Sequence, residues 1–152
     1  MAKINGFIDS WVSHRKALLE LVDTFGDEQL HFKPWENAMN LSELVLHITG
    51  ATSMFVQTVK KGVFTPPPEL ISVETARDLK AVVQAETEKT VSDLKSLTDE
   101  QLEQLVEFYG MKMPGLALLE SGKDHEIHHK GQLFTYARLI GIETLPFFVS
   151  RS

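Results

Sequence analysis

The apolar residues of this chain recur at helical spacing, three or four apart, in four long stretches, and no run of β-branched alternation competes with them. Segments rich in Gly, Pro or Asn divide the stretches, so the pattern leaves little choice but a helical fold. The first stretch, about residues 3 to 24, carries Phe7, Trp11, Leu18, Val22 and Phe25 on one stripe, with His14 at its flank, and stops at Gly26. A loop holding His31, Pro34, Trp35 and Asn37 leads to Asn40-Leu41-Ser42-Glu43, where Asn40 caps the second helix and Glu43 completes a capping box. That helix runs to about Lys61, before Gly62. The prolines of TPPPE, residues 65 to 69, cannot all be helical. Ser72 then caps a third helix over about residues 73 to 96, and Thr98 opens a short helix that fades before Gly110. Pro114 suits the first turn of the last long helix, which ends near Ile140. The expected architecture is one all-α domain, a four-helix bundle spanning residues 1 to 152.

Composition narrows the function. The 152 residues contain 43% apolar side chains, enough for a sizeable core. Lys and Arg number 15 against 21 Asp and Glu, a net charge of -6, and no basic run stands out, so the reading is no nucleic-acid partner. No stretch approaches the ~18 apolar residues of a membrane span. The N-terminus has no secretory h-region, so we expect a cytoplasmic protein with no membrane partner. The chain has no cysteine, which excludes disulfides, thiolate-held metals and a cysteine nucleophile. Any thiol chemistry would draw its thiol from outside.

Three histidines in five residues, His125-Glu126-Ile127-His128-His129, mark the last helix. One helical turn separates His125 from His129, about 40° apart on one face, and two imidazoles so placed can grip one metal ion. Leu118, Leu133, Tyr136 and Ile140 share that face, so the pair points into the bundle, whereas Lys123, Lys130 and Arg138 point away and His128 lies on a flank. The pattern also satisfies the H-E-x-x-H of zinc proteases. Their usual continuation is missing, because Gln132 and Thr135 stand where Gly and His would follow. A catalytic metal site wants three protein ligands and an open position. His47, on the second helix beside Leu44, Gly50, Ala51 and Met54, is the candidate for the third, although spacing does not bring it to His129. A lone core histidine is more often satisfied by a neighbouring carboxylate or carbonyl than by a metal, and His47 also reads that way.

Glu126 borders the presumed pocket, either as a proton acceptor or histidine partner, or as a solvated helix carboxylate. Tyr136 reads as a hydrogen-bonding group for substrate or as a core aromatic. His14 reads as a boundary residue, His31 and Trp35 as loop residues, and Trp11 as core. Met39, Met54, Met111 and Met113 are core or loop residues. Leu116, Ile127 and Phe134 form a second stripe on the last helix, which packs on another helix or forms a dimer interface.

The segment DHEIHHKGQL, residues 124 to 133, resembles the last-helix motif of the DinB/YfiT-like proteins, with Lys130 in place of the more usual arginine. LSELVLHITGA, residues 41 to 51, resembles the second-helix motif of that family, and ARLIGIETLPF resembles its exit from the last helix. The resemblance covers nearly the whole chain. It implies an up-down-down-up four-helix bundle, a divalent metal, zinc or nickel, held by His47, His125 and His129, and a homodimer. It also implies metal-dependent transfer to small electrophiles from a low-molecular-weight thiol such as bacillithiol or mycothiol. The DNA-damage-inducible name of the family records regulation, not DNA binding. Two rivals accompany this expectation, a metal-binding bundle without turnover and a metal-dependent hydrolase on the same ligands.

Overall fold

The computed structural model describes residues 2–150. Four long helices form the body: α1 (Ala2–Val22), α2 (Leu41–Lys61), α3 (Ala76–Lys95) and α5 (Gly115–Leu139), with a five-residue α4 (Asp99–Glu103) between the third and the last. Among the described residues no helix is long and apolar enough to cross a membrane.

Contacts at the helix ends fix the directions. Asp23 at the end of α1 pairs with Lys80 near the start of α3, so these two run antiparallel. Lys60 at the end of α2 meets Asp93 at the end of α3, 3.0 Å apart, so those run parallel. Gly115, opening α5, lies against Val59 at the end of α2. The order is up-down-down-up, as the family resemblance implies, with the segment that holds the prolines of 65–69 running back along the bundle, outside regular structure, from the end of α2 to the start of α3.

The caps do what their side chains suggest. Asn40 accepts from the Glu43 amide at 2.9 Å, and Glu43 accepts in return from the Asn40 amide at 2.8 Å. Gly62 terminates α2 at φ 73°, the left-handed position that glycine takes without a Cβ clash. The third helix starts later than the sequence indicates. Thr75, not Ser72, accepts from the Asp78 amide, at 3.0 Å.

A larger departure lies between α4 and α5. The short helix opened by Thr98 is present as α4 and ends at Glu103, and the chain then forms an unforeseen hairpin of β1 (Leu105–Phe108) and β2 (Met111–Pro114), paired antiparallel from Leu105↔Pro114 to Phe108↔Met111. The two-residue turn is Tyr109-Gly110, with φ 51° and 82°. Positive φ at both central positions matches the right-handed twist of the flanking strands. Pro114 accordingly caps α5 from an extended conformation rather than lying in its first turn. At Gly115 the approach of α4 is close enough that a Cβ would meet the Gln101 carbonyl oxygen at 2.4 Å.

The core consists of two apolar clusters. One gathers Leu18, Leu21, Leu44, Ile48, Leu79 and Leu133, and the other Ile4, Trp11, Phe55, Leu94, Leu118 and Leu119. Between them along each helix lies a polar residue, Arg15 on α1, Thr52 on α2, Thr87 on α3 and Glu126 on α5, bonded together as described below. Of the second stripe on α5, Leu116 and Phe134 pack against these clusters within the chain.

Candidate metal centre

The parallel and antiparallel neighbours of α2 place His47 opposite the face of α5 that carries His125 and His129, where α2 packs most extensively. The ring centroids stand 4.9 Å apart for His47 and His125, 4.7 Å for His47 and His129, and 4.4 Å for His125 and His129. One ring nitrogen of each lies within 4.8 Å of the other two. The three side chains are half-buried. Burial, followed by the neighbouring His129, His47 and His128, pushes His125 down to about 4, with Glu126 acting the other way. Burial and His129 likewise lower His47. Both imidazoles are therefore neutral near pH 7 and keep a lone pair for a cation.

His129 has its own partner. Gln132 Oε1 lies 2.7 Å from His129 Nδ1, so Nδ1 carries the proton and donates, leaving Nε2 with the lone pair. The i, i+3 spacing was the available signal for this contact, since two residues so placed meet on one helix face. Three convergent imidazoles fit a divalent cation, and this donor set suits zinc, nickel, copper or iron.

The site is open on two sides. A cleft of about 430 Å³ reaches His47 and His125 and is bounded by Gly50, Met54, Pro68, Phe108 and Tyr109. A second, of about 420 Å³, reaches His129 between Trp35, Asn37, Gln132, Thr135 and Tyr136.

Glu126 is placed differently from its expected position at the pocket border. It is fully buried, with Oε1 and Oε2 accepting from Arg15 Nη2 and Nε at 2.7 Å and 2.8 Å. Trp11 Nε1 donates to Oε1 at 2.9 Å, and the Thr52 hydroxyl is 3.2 Å from the same oxygen. Burial pushes the carboxyl up, but Arg15, Trp11 and Thr52 outweigh it and hold the group below its ordinary range. A carboxylate so occupied cannot serve as the mobile base of an H-E-x-x-H protease or take a proton from a group in either cleft. The physical reason is its position next to His125, which turns it about 100° away from that residue and toward α1.

Tyr136 is buried at the floor of the second cleft, where its hydroxyl donates to the Met39 carbonyl at 2.9 Å, and burial pushes it up. Lys130 points away from the histidines but not into solvent. It is buried, with Nζ 3.0 Å from His14 Nδ1 and donating to the Phe148 carbonyl, and burial pushes it down to about 8, against the pull of Glu126. Lys123 is partly buried, its Nζ donating to Ser10 Oγ at 3.1 Å, and Arg138 is exposed. His128 is exposed with its ring 4.7 Å from that of His129, and His31 is exposed in its loop.

A sequence profile described as the DinB family matches residues 1–151. The chain belongs to the DinB family. Among DinB-like relatives, the uncharacterized protein YjoA of Bacillus subtilis is 37% identical over 154 residues, covering 99% of both chains. The uncharacterized protein YrdA of the same organism is 26% identical over 145 residues, covering 94% of this chain and 86% of that one. The crystal structure of YjoA, a DinB-like protein, superposes with a TM-score of 0.86 at 35% identity over 96% of this chain and 99% of that chain. A DinB-like protein from Bacillus cereus ATCC 10987 superposes with a TM-score of 0.82 over 94% and 95% of the two chains, and at 22% identity it shows the shared DinB bundle alone.

Proposed function

We propose that this DinB protein is a metal-dependent transferase, in which His47, His125 and His129 hold one divalent cation, zinc or nickel, and an external low-molecular-weight thiol attacks a small electrophile. The observation that carries the reading is the arrangement of three convergent imidazoles between two separate clefts, each of a size to hold a small molecule. A structural metal site closes itself with four protein ligands, whereas the described residues gather three here. A divalent ion bound by three neutral ligands acts as a Lewis acid and favours the anionic form of a thiol or water beside it.

The residues of the chain supply the rest. His129, fixed by Gln132, separates the two clefts, so one reactant approaches past Trp35 and Asn37 and the other past Gly50 and Met54. In the transfer the thiol sulfur forms a bond to the electrophilic carbon, the leaving group departs with the bonding pair, and the thiol proton passes to solvent through the open cleft. Glu126 takes no proton in this scheme and instead positions α5.

Elemental analysis of the purified chain beside His47→Ala, His125→Ala and His129→Ala tests the ligand set, and consumption of thiol with 1-chloro-2,4-dinitrobenzene tests the reaction. About one metal per chain, lost in each variant together with turnover, is the expected result. Unchanged metal content in His129→Ala would sink the site. Release of product from ester or amide substrates, with no thiol consumed, would favour the hydrolase. Metal binding without turnover on either substrate class would leave a metal-binding bundle.

A further inference from the structure

Two residues beside the histidines break the local rules of the elements that hold them, and both line the same cleft. Gly50 lies in the middle of α2, one turn beyond His47, where alanine would favour the helix. Nothing would obstruct that alanine, because a Cβ built at Gly50 meets no atom within 4 Å. The space it would enter is the cleft itself, together with a smaller adjoining one. Tyr109 stands at φ 51°, a left-handed conformation that a bulky side chain adopts only at a cost and that asparagine or glycine would take readily. The strained turn presents the Tyr109 ring at the cleft mouth, 4.7 Å from Phe108 and 5.4 Å from Phe64, with Phe108 5.0 Å from Phe55 beneath. Backbone strain and an unfilled glycine in the lining of one cavity are departures that local stability does not explain.

We propose that this cleft is the substrate site, and that it takes small neutral molecules with an aromatic or otherwise apolar body and one polar end directed at His47 and His125. The assignment of the reacting end rests on the metal reading above; the assignment of the body does not. The chemistry of the walls sets the class. Phe55, Phe108, Tyr109, Met54, Pro67 and Leu70 supply rings, a thioether and aliphatic surface, and among the described residues no Lys, Arg, Asp or Glu lines the cavity. Away from the histidines, a charged body would lose its hydration against these walls with no acidic or basic side chain to replace it. A flat apolar body instead stacks on the ring wall. Tyr109 and Leu70 are 74% and 73% exposed, which leaves apolar surface facing water at the mouth for an entering molecule to cover.

The test is titration of the zinc-loaded and the zinc-free chain with the neutral fluorescent probe N-phenyl-1-naphthylamine, read by fluorescence. Gly50→Leu puts a side chain into the cleft from a position where the added Cβ meets no atom within 4 Å. It is expected to weaken probe binding by at least about tenfold while zinc content and circular dichroism stay at the parent values. Tyr109→Asn keeps the hairpin, since Asn-Gly suits this turn, and is expected to weaken the probe severalfold. Gly50→Ala is expected to raise Tm by about 3 °C, which shows that the glycine is not required by the fold. Phe147→Ser, in an exposed aromatic pair far along the chain, is expected to leave the affinity unchanged. Wild-type affinity in Gly50→Leu, or loss of binding in Phe147→Ser, would overturn the proposal. A chain that shows the expected probe pattern and holds no zinc would support the cleft and overturn the metal reading.

Discussion

Arg15 and Glu126 form a buried, two-pronged ion pair, with both side chains at 0% exposure and N to O distances of 2.7 Å and 2.8 Å. Arg15 also donates to Thr52 at 3.1 Å and to Thr87 at 3.2 Å, so one guanidinium ties α1 to the three other long helices. Because Glu126 follows His125 directly, the pair fixes the roll of α5 about its axis and with it the direction of both histidines on that helix.

Glu126→Gln should therefore be costly, since it leaves a buried guanidinium without its counter-charge, a loss of about 3 kcal/mol measurable by urea denaturation. Arg15→Met combined with Glu126→Leu should recover most of that stability, because apolar replacement of a buried pair is often near neutral. Zinc affinity separates positioning from stability. The double variant should stay below the parent in affinity even where its stability is restored, and a parental affinity would show that packing alone sets the roll of α5.

Lys130 acts on another part of the chain. Its Nζ donates to the Phe148 carbonyl and approaches His14, and two residues on, the Ser150 amide donates to the Ser13 carbonyl at 2.8 Å. These contacts hold the segment after α5 against α1. Lys130→Met should loosen that segment, leaving exposed Phe147 and Phe148 open to chymotrypsin, with cleavage faster by about tenfold and metal content unchanged. Cleavage at the parental rate would place the hold on the segment in Val149, which is buried, rather than in the lysine.

The end of α3 carries a pH-dependent contribution. Asp93 accepts from Lys60 and Lys89, each at 3.0 Å, and from Gln57 at 2.8 Å. Burial pushes its carboxyl up, and the bonds and charges of the two lysines outweigh that and hold it below the usual carboxylate range. A carboxyl whose folded pKa is depressed stabilises the fold fully above its unfolded pKa, and the contribution is lost as pH falls through the folded value. Asp93→Asn should accordingly cost about 0.5 to 1 kcal/mol at pH 7 and nothing at a pH low enough to protonate the native carboxyl. Denaturation curves of the two proteins at both pH values check this, and a cost that persists at low pH would assign the effect to Gln57 packing rather than to charge.

The long helices, and the caps at Asn40 and Thr98, were legible because both signals are local, whereas the start of α3 was misplaced because Ser72 and Thr75 offer the same capping chemistry three residues apart. Apolar spacing identifies the buried face of a helix, and Asn40 and Thr98 reach donors only three residues away. The hairpin was not legible, because strands of four residues are too short for alternation to show and Gly110 reads as a helix stop as readily as a turn residue. His125 and His129 could be paired from spacing on one helix. His47 reached them through family resemblance, since a contact between helices leaves no trace in periodicity. Glu126 and Lys130 show the same limit. A helical wheel separates the metal face from the rest of α5, but it cannot tell whether the rest meets water or α1, and both side chains meet α1.

Gln132 offers the finest test of the centre. In the sequence it is a polar residue three positions after His129, yet its Oε1 fixes which nitrogen of that ring carries the proton. Gln132→Leu keeps the helix and roughly the volume but removes the acceptor, so the imidazole is free to rotate and to change tautomer. Loss of such an orienting partner typically costs 10- to 100-fold in metal affinity, so zinc binding measured by competition with a chelator should weaken by about that factor. Gln132→Glu retains an acceptor at the same place and should bind zinc at least as tightly as the parent, since its carboxylate makes the ring a stronger donor to a cation. Equal affinity in all three proteins would mean that His129 is oriented by the walls of its cleft, with Trp35 and Tyr136 as the residues to alter next.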